Sequence, residues 1–218
     1  MRELTPLCKL ARECETDKGG RHLRYGGGDS DTCHEYTEAY YNIFSERRDA
    51  VTAVLEVGIG HEGSSLRMWE RFFPQAYISG LDSDQQSINR AMRPNWTEGR
   101  VACLAADQGD AASLLRAMLC WDQTFDLIID DGSHVFEHQV LTANVLMPFL
   151  KPNGYYVIED IHDDCHPEKI GNLLPAIYSW YGVSCGYGIG KAHCHCGCNP
   201  PGPEQLLIVR HKRGVLYD

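Results

Sequence analysis

Short apolar runs alternate with amphipathic stretches along most of this 218-residue chain. The runs at 50–57, 76–81, 100–106, 125–129 and 155–158 read as strands buried on both faces, the pattern of a parallel sheet. Between them, 64–73, 85–92, 111–119 and 137–149 have helical spacing. In the first of these, Leu66, Trp69 and Phe73 share one stripe. A turn at Lys151-Pro152-Asn153-Gly154 leads into the fifth run; a helix is expected over 167–180 and a last strand over 205–211. Residues 1–50 are polar, dotted with aromatics and irregular around Gly26-Gly27-Gly28, with helical spacing only from 35 to 47. This alternation predicts an α/β fold: a doubly wound, mostly parallel, Rossmann-like sheet. The length suits a single domain, divided into an N-terminal lid and cofactor segment (1–49), a core (50–180), and a Cys/His loop with the last strand (181–218).

The chemistry collects where the apolar runs end. The fourth run gives way to Asp130-Asp131-Gly132-Ser133-His134 and the fifth to Glu159-Asp160. In an open α/β sheet the C-terminal strand edge is where ligands bind. Asp131, Glu159 and Asp160, at neighbouring strand ends, can converge on one hard divalent cation such as Mg²⁺. An oxygen-only set favours Mg²⁺, Mn²⁺ or Ca²⁺ over zinc. His134, three residues beyond Asp131, is placed to serve as a base beside that cation. Helix capping accounts for any one of these acids, but not for two clusters and a histidine together. The first strand–turn–helix carries Gly58-Ile59-Gly60-His61-Glu62-Gly63, glycines that let a backbone approach a nucleotide-like ligand. That spacing fits a dinucleotide fingerprint and equally the looser turn of S-adenosylmethionine (SAM) methyltransferases. Asp82, ending the second run, can accept hydrogen bonds from ribose hydroxyls with either cofactor. Asp107 and Gln108, ending the third, offer an acceptor and an amide to an adenine amino group.

Twenty Lys and Arg against thirty Asp and Glu leave a net charge of −10, a surface that repels phosphate backbones and anionic lipid. Nucleic acid and membranes are therefore not expected partners. No run is long enough to span a membrane and the first residues lack a signal-peptide core, so a cytoplasmic location is expected. The ten cysteines do not form a secreted disulfide pattern; Cys103, in a strand, and Cys120, at a helix end, are expected to pack as small hydrophobes. His193-Cys194-His195-Cys196-Gly197-Cys198, followed by a Pro/Gly-rich stretch, reads as an exposed loop rich in soft ligands.

Several of these motifs together carry a resemblance. Thr16-Asp17-Lys18-Gly19, then His34 and the spaced aromatics Tyr36, Tyr40 and Phe44, resembles the opening of a methyltransferase family. So do Leu55-Glu56-Val57-Gly58-Ile59-Gly60, Asp107-Gln108, Asp130-Asp131-Gly132-Ser133-His134 and Val157-Ile158-Glu159-Asp160-Ile161. The family is that of the metal-dependent sugar O-methyltransferases of macrolide biosynthesis, typified by the macrocin and mycinamicin enzymes and taking in proteins named cephalosporin hydroxylases. The resemblance runs from about Thr16 to Ile161. Its most specific element is the pairing of the Asp131 turn with Glu159-Asp160. It implies a class I SAM methyltransferase fold, with Asp131, Glu159 and Asp160 as metal ligands and His134 as general base. Thr16, Lys18, Glu56, Gly58, Gly60, Asp82, Asp107, Gln108 and Asp130 are then expected at the SAM.

The reading that follows is a SAM- and Mg²⁺-dependent O-methyltransferase acting on a hydroxyl of a small metabolite, a sugar or a glycosylated natural product. Homo-oligomeric assembly is compatible with it. Two alternatives stay open at this point. One is an NAD-dependent dehydrogenase or epimerase on the same fold, which leaves the three acids unexplained and lacks the Tyr-x-x-x-Lys pair of short-chain dehydrogenases. The other is a non-catalytic metal-binding scaffold that uses the Cys/His loop.

Overall fold

The computed structural model describes residues 4–19, 34–60, 62–93, 96, 99–161, 167–185 and 205–211. Gly26 to Gly28, Cys165 and the loop His193 to Cys198 lie outside them. The first element is a helix where irregular chain was expected. Thr5 accepts from the Cys8 N–H, Pro6 stands in the first turn, and α1 runs Pro6–Glu13; a capping threonine before proline is a readable helix start. Helix α2 (Tyr36–Phe44) follows.

The core alternates β1 (Ala53–Val57), α3 (Ser64–Phe72), β2 (Tyr77–Asp82), α4 (Gln85–Ala91), β3 (Val101–Ala105), α5 (Ala111–Trp121), β4 (Phe125–Asp130), α6 (Phe136–Leu146) and β5 (Leu150–Ile158). Asp84 and Asp110 cap α4 and α5, accepting from Gln86 and Ser87 and from Ala112. The turn expected at 151–154 is instead part of β5. It forms an irregularity in the β4–β5 register, with Asn153 at φ 64°. The helix expected over 167–180 is only α7 (Pro167–Gly171), and the chain turns into an unforeseen strand, β6 (Tyr178–Ser184), before β7 (Gln205–His211). β6 hides from pattern reading because it is an edge strand with Gly182 inside and Tyr181 exposed.

The strands form one sheet in the order β3-β2-β1-β4-β5-β7-β6. β1 to β5 are parallel; β7 runs antiparallel between β5 and β6. Alternate strand residues feed two cores. Val54, Ile78, Leu127, Ile129 and Val157 pack with α1 to α4, while Leu55, Leu81, Ile128, Tyr156 and Ile158 pack with α5 to α7. The N-terminal helices dock through aromatics. Tyr40 meets Trp69 edge-on at 4.9 Å and Phe44 meets Phe73 at 5.5 Å, each pair worth about 0.5–1.5 kcal/mol beyond its burial. This docking holds α2 beside the C-terminal strand edge. Among the described residues no disulfide forms: Cys8, Cys14, Cys103, Cys120 and Cys185 are free. Cys120 is exposed rather than packed, whereas burial, with Glu56 and Asp82 nearby, pushes the Cys103 thiol up to about 12. No described helix is long and apolar enough to cross a membrane.

Candidate active site

β1 is flanked by β2 on one side and β4 on the other, so the chain winds outward in both directions from β1 and β4. A crevice opens there at the carboxyl ends of the strands. It is a cavity of about 910 Å³, lined by residues from every strand end from β1 to β5 and by the segment before α2. Thr16, Lys18, Gly58, Gly60, Asp82, Asp107, Gln108, Asp131, His134, Glu159 and Asp160 all line it.

The two expected residues missing from its wall are Glu56 and Asp130. Both are wholly buried behind it. Asp130 and Asp131 are neighbours at a strand end, and successive strand side chains point to opposite faces. Asp131 therefore reaches the cavity while Asp130 turns into the core, where it accepts from Gln108 Nε2 at 2.5 Å and from the Tyr156 hydroxyl at 3.3 Å. Burial lifts Asp130 to about 7, against the bonds from Gly132, Gln108 and Tyr156 that pull it down. Glu56 accepts from Ser65 Oγ at 2.7 Å and stands 3.4 Å from Lys18 Nζ; burial raises it as well.

Gln108 also departs from expectation. Its side-chain oxygen accepts from the Ser133 N–H at 2.7 Å while its nitrogen donates to Asp130. The amide thus ties the β3 end to the Asp131-Gly132-Ser133 turn, and Asp107 alone offers a side-chain acceptor at that place. The two glycines differ too. At Gly58 (φ 84°) a Cβ would lie 2.1 Å from the Asp131 carbonyl oxygen, so this glycine is required by the neighbouring strand end; at Gly60 (φ 61°) a Cβ would meet nothing within 4 Å. Gly60 keeps the cavity open. Asp82 accepts from the Ile59 N–H at 3.2 Å and the Asp84 N–H at 2.8 Å, which orients it at the rim.

The acids at the β4 and β5 ends meet groups from the N-terminal segment. Lys18, 2% exposed, places Nζ 2.6 Å from Asp131 Oδ2 and 2.5 Å from Glu159 Oε2. The Tyr40 hydroxyl donates to the other Glu159 oxygen at 2.5 Å. The Tyr36 hydroxyl donates to Asp160 Oδ1 and accepts from the Asp160 N–H at 3.2 Å. His34 Nδ1 lies 3.4 Å from Asp160 Oδ1, and His134 Nε2 3.6 Å from Asp160 Oδ2. His134 and Asp160 both adopt left-handed backbone, at φ 56° and 51°, a costly conformation for residues with a Cβ that concentrates at functional sites.

The donor atoms that gather within 4.8 Å of one another belong to Asp131, His134 and Asp160. Glu159, expected with Asp131 and Asp160, is not among these gathered atoms; its two oxygens lie on Lys18 and Tyr40. His134, expected beside the ligands, is among the gathered donors. The donor set of two carboxylates and an imidazole suits a divalent cation. The electrostatics agree. Burial pulls Lys18 down, but Asp131, Glu159 and Glu56 outweigh it and hold the ammonium protonated. Burial drives Glu159 well up, and the Asp131 charge adds to it against Lys18. Asp160 is held low: burial works against it, but His34, His134, Tyr36 and Lys18 prevail. Glu56, Asp131 and Glu159 thus share one ammonium, and all three carboxyls lie above their ordinary values.

The Tyr36 and Tyr40 contacts were not foreseen as part of the site. They stand only among the spaced aromatics of the resemblance; both are buried, and the pairing of each hydroxyl with an acid was not read from the sequence.

A parallel sheet with one antiparallel strand inserted beside β5, and a cavity at its β1–β4 crevice, defines a class of nucleotide-cofactor enzymes. The chain belongs to the methyltransferase domain family, whose model matches residues 48–183; this replaces the dehydrogenase reading of the glycine turn. It is similar to the 8-demethyl-8-alpha-L-rhamnosyl tetracenomycin-C 2'-O-methyltransferase of Streptomyces olivaceus, 38% identical over 154 residues that make up 68% of this chain and 38% of that protein. Demethylmacrocin O-methyltransferase of Streptomyces fradiae is 38% identical over 134 residues, 59% of this chain and 32% of that one. Among solved structures, the MycE methyltransferase from the mycinamycin biosynthetic pathway, in complex with Mg, SAH and mycinamycin VI, superposes with a TM-score of 0.57 at 34% identity, covering 72% of this chain and 38% of that one. The chain thus spans well under half the length of these relatives.

Proposed function

We propose that this chain is a SAM- and divalent-cation-dependent O-methyltransferase that methylates a sugar hydroxyl of a small glycosylated natural product. The observation that carries this reading is the meeting of Asp131, Asp160 and His134 beside the Gly60 opening and Asp82 in one cavity. One relative named as the O-methyltransferase of a rhamnosyl tetracenomycin, another named as the O-methyltransferase of demethylmacrocin, and one solved with Mg and SAH support it. The local electrostatics support it too: three buried acids gather on a single ammonium, a place where added positive charge is favoured.

Asp82 would accept from the ribose hydroxyls, Asp107 from the adenine amino group, and Gly60 would leave room for the methionyl end. Asp131, Asp160 and Glu159, the last oriented by Lys18 and Tyr40, would hold the cation, Mg²⁺ or Mn²⁺. When bound, the cation lowers the pKa of the acceptor hydroxyl, which by itself is too weak an acid to ionise near neutral pH. His134, on the cavity wall beside Asp160, takes the hydroxyl proton as the methyl is transferred. Tyr36 and His34 contact Asp160, so residues 15–18 and His34 would serve as a wall of the cofactor and cation site. The free thiols fit a reducing, cytoplasmic setting, and the acidic chain takes a small acceptor in preference to nucleic acid or membrane. The test is to incubate the protein with SAM and glycosylated acceptors and follow a one-methyl mass gain. The gain should appear with Mg²⁺ and vanish in excess EDTA; equal turnover in EDTA would refute the cation's role.

A further inference from the structure

Lys18, expected at the cofactor, instead sits on the acids at the β4 and β5 ends. Lysine is almost never fully buried unless paired, yet this one is held inside by its backbone. The carbonyls of Asp17, Lys18 and Gly19 accept from the N–H groups of His34, Thr37 and Glu35 at 3.0, 3.1 and 2.9 Å, which ties the loop to the start of α2. Its ammonium lies on Asp131 Oδ2 and Glu159 Oε2, at 2.6 and 2.5 Å. Both oxygens belong to acids at the proposed cation site, and an oxygen turned to an ammonium at that distance has less electron density to offer a metal ion. Glu56 stands 3.4 Å from the same ammonium, wholly buried and not part of the cavity wall.

We infer that Lys18 is a displaceable internal counter-cation: its ammonium and the divalent ion draw on the same Asp131 and Glu159 oxygens, and Lys18 withdraws toward Glu56 as the ion binds. The inference rests on the cation reading above. Lys18 then keeps the buried acids compensated before the ion arrives and lowers the site's affinity for it, so that the ion exchanges instead of being trapped.

The experiment is Mn²⁺ titration of the full chain, followed by the EPR signal of free Mn²⁺, on wild type and Lys18→Met. Removing a unit positive charge a few ångströms from a divalent ion should tighten binding by at least about tenfold. Because the variant leaves buried acids uncompensated and can fail to fold, a crystal structure of the wild type with Mn²⁺ is the second measurement. It should show Lys18 Nζ beyond hydrogen-bond reach of Asp131 Oδ2, about 3.5 Å, and nearer to Glu56. Equal or weaker Mn²⁺ binding by Lys18→Met, or Lys18 still seated on both oxygens beside bound Mn²⁺, would overturn the inference and leave the cation site standing. A wild type that takes up no Mn²⁺ would instead overturn the cation reading, and this inference with it.

Discussion

The sheet carries a lysine–carboxylate cluster at each edge, and the two are built on opposite principles. At the N-terminal edge, Asp126 of β4 accepts through one oxygen from the Thr52 N–H at 2.8 Å, the Thr52 hydroxyl at 3.0 Å, the Ala53 N–H at 3.0 Å and Lys151 Nζ at 2.8 Å. Burial raises its pKa, but Lys151 and the Thr52 and Ala53 donors outweigh it and hold the carboxyl below its ordinary value. At the C-terminal edge, just past the end of the same strand, Asp131 shares the ammonium of Lys18 with Glu159 and Glu56. There burial leads, the Asp160 charge adds to it, and the carboxyl ends up above its ordinary value despite Lys18. One acid with one base and three further donors is complete. Several acids on one base are complete only when a ligand brings positive charge. The first cluster closes the fold; the second is where binding free energy is available.

Mutations on the two edges should therefore fail in different ways. The largest effect is expected at His134. His134→Ala should slow methyl transfer by the general-base factor of ~10²–10⁴ while Mn²⁺ stays bound, and the deficit should shrink as pH rises and hydroxide competes for the proton. Because Asp131, His134 and Asp160 gather so closely, the same variant decides whether the imidazole is a base or a ligand: loss of bound Mn²⁺ would make it a ligand. Next comes Asp82→Ala, which should weaken SAM by about 1.5–3 kcal/mol in calorimetry, the usual worth of a hydrogen bond to a charged group, with little change in melting temperature. The smallest effect belongs to the other edge. Asp126→Asn, at a partly exposed site screened by solvent, should cost only about 1 kcal/mol of stability and leave methyl transfer unchanged. The sign with pH follows from the lowered carboxyl. Its contribution is present above the unfolded value near 3.8 and disappears as pH falls through the folded value, so the denaturation midpoints of wild type and variant should converge in acid. A fall in turnover with unchanged stability in Asp126→Asn would erase the contrast between the edges.

What the chain discloses before folding follows the same division. Asp131 and Glu159-Asp160 were legible because each ends a buried apolar run, and the parallel topology brings the ends of neighbouring strands together. Strand alternation also held the signal that Asp130 must turn away from Asp131, since two consecutive side chains cannot share a face. The compensation was not legible. A lysine's burial is set by tertiary contacts more than one hundred positions away along the chain, Lys18 to Asp131 and Glu159, and no local pattern encodes it. Gln108 stands at the expected strand end, but its bonds to Asp130 and Ser133 were not legible, because an amide's partners depend on which turn folds over it. The short edge strand β6, with a glycine and a half-wet aromatic face, looked like the tail of a helix for want of a continuous apolar run.

The acid-rich edge is proposed as a divalent-cation site, and the balanced edge is not. Mn²⁺ titration of wild type, Asp160→Asn and Asp126→Asn tests it most directly. One saturable Mn²⁺ per chain is expected in wild type and in Asp126→Asn, and binding at least ~100-fold weaker in Asp160→Asn, since removing a ligand should cost no less than removing one of its supports. Absence of saturable binding in the wild type, or equal affinity in Asp160→Asn, would contradict it.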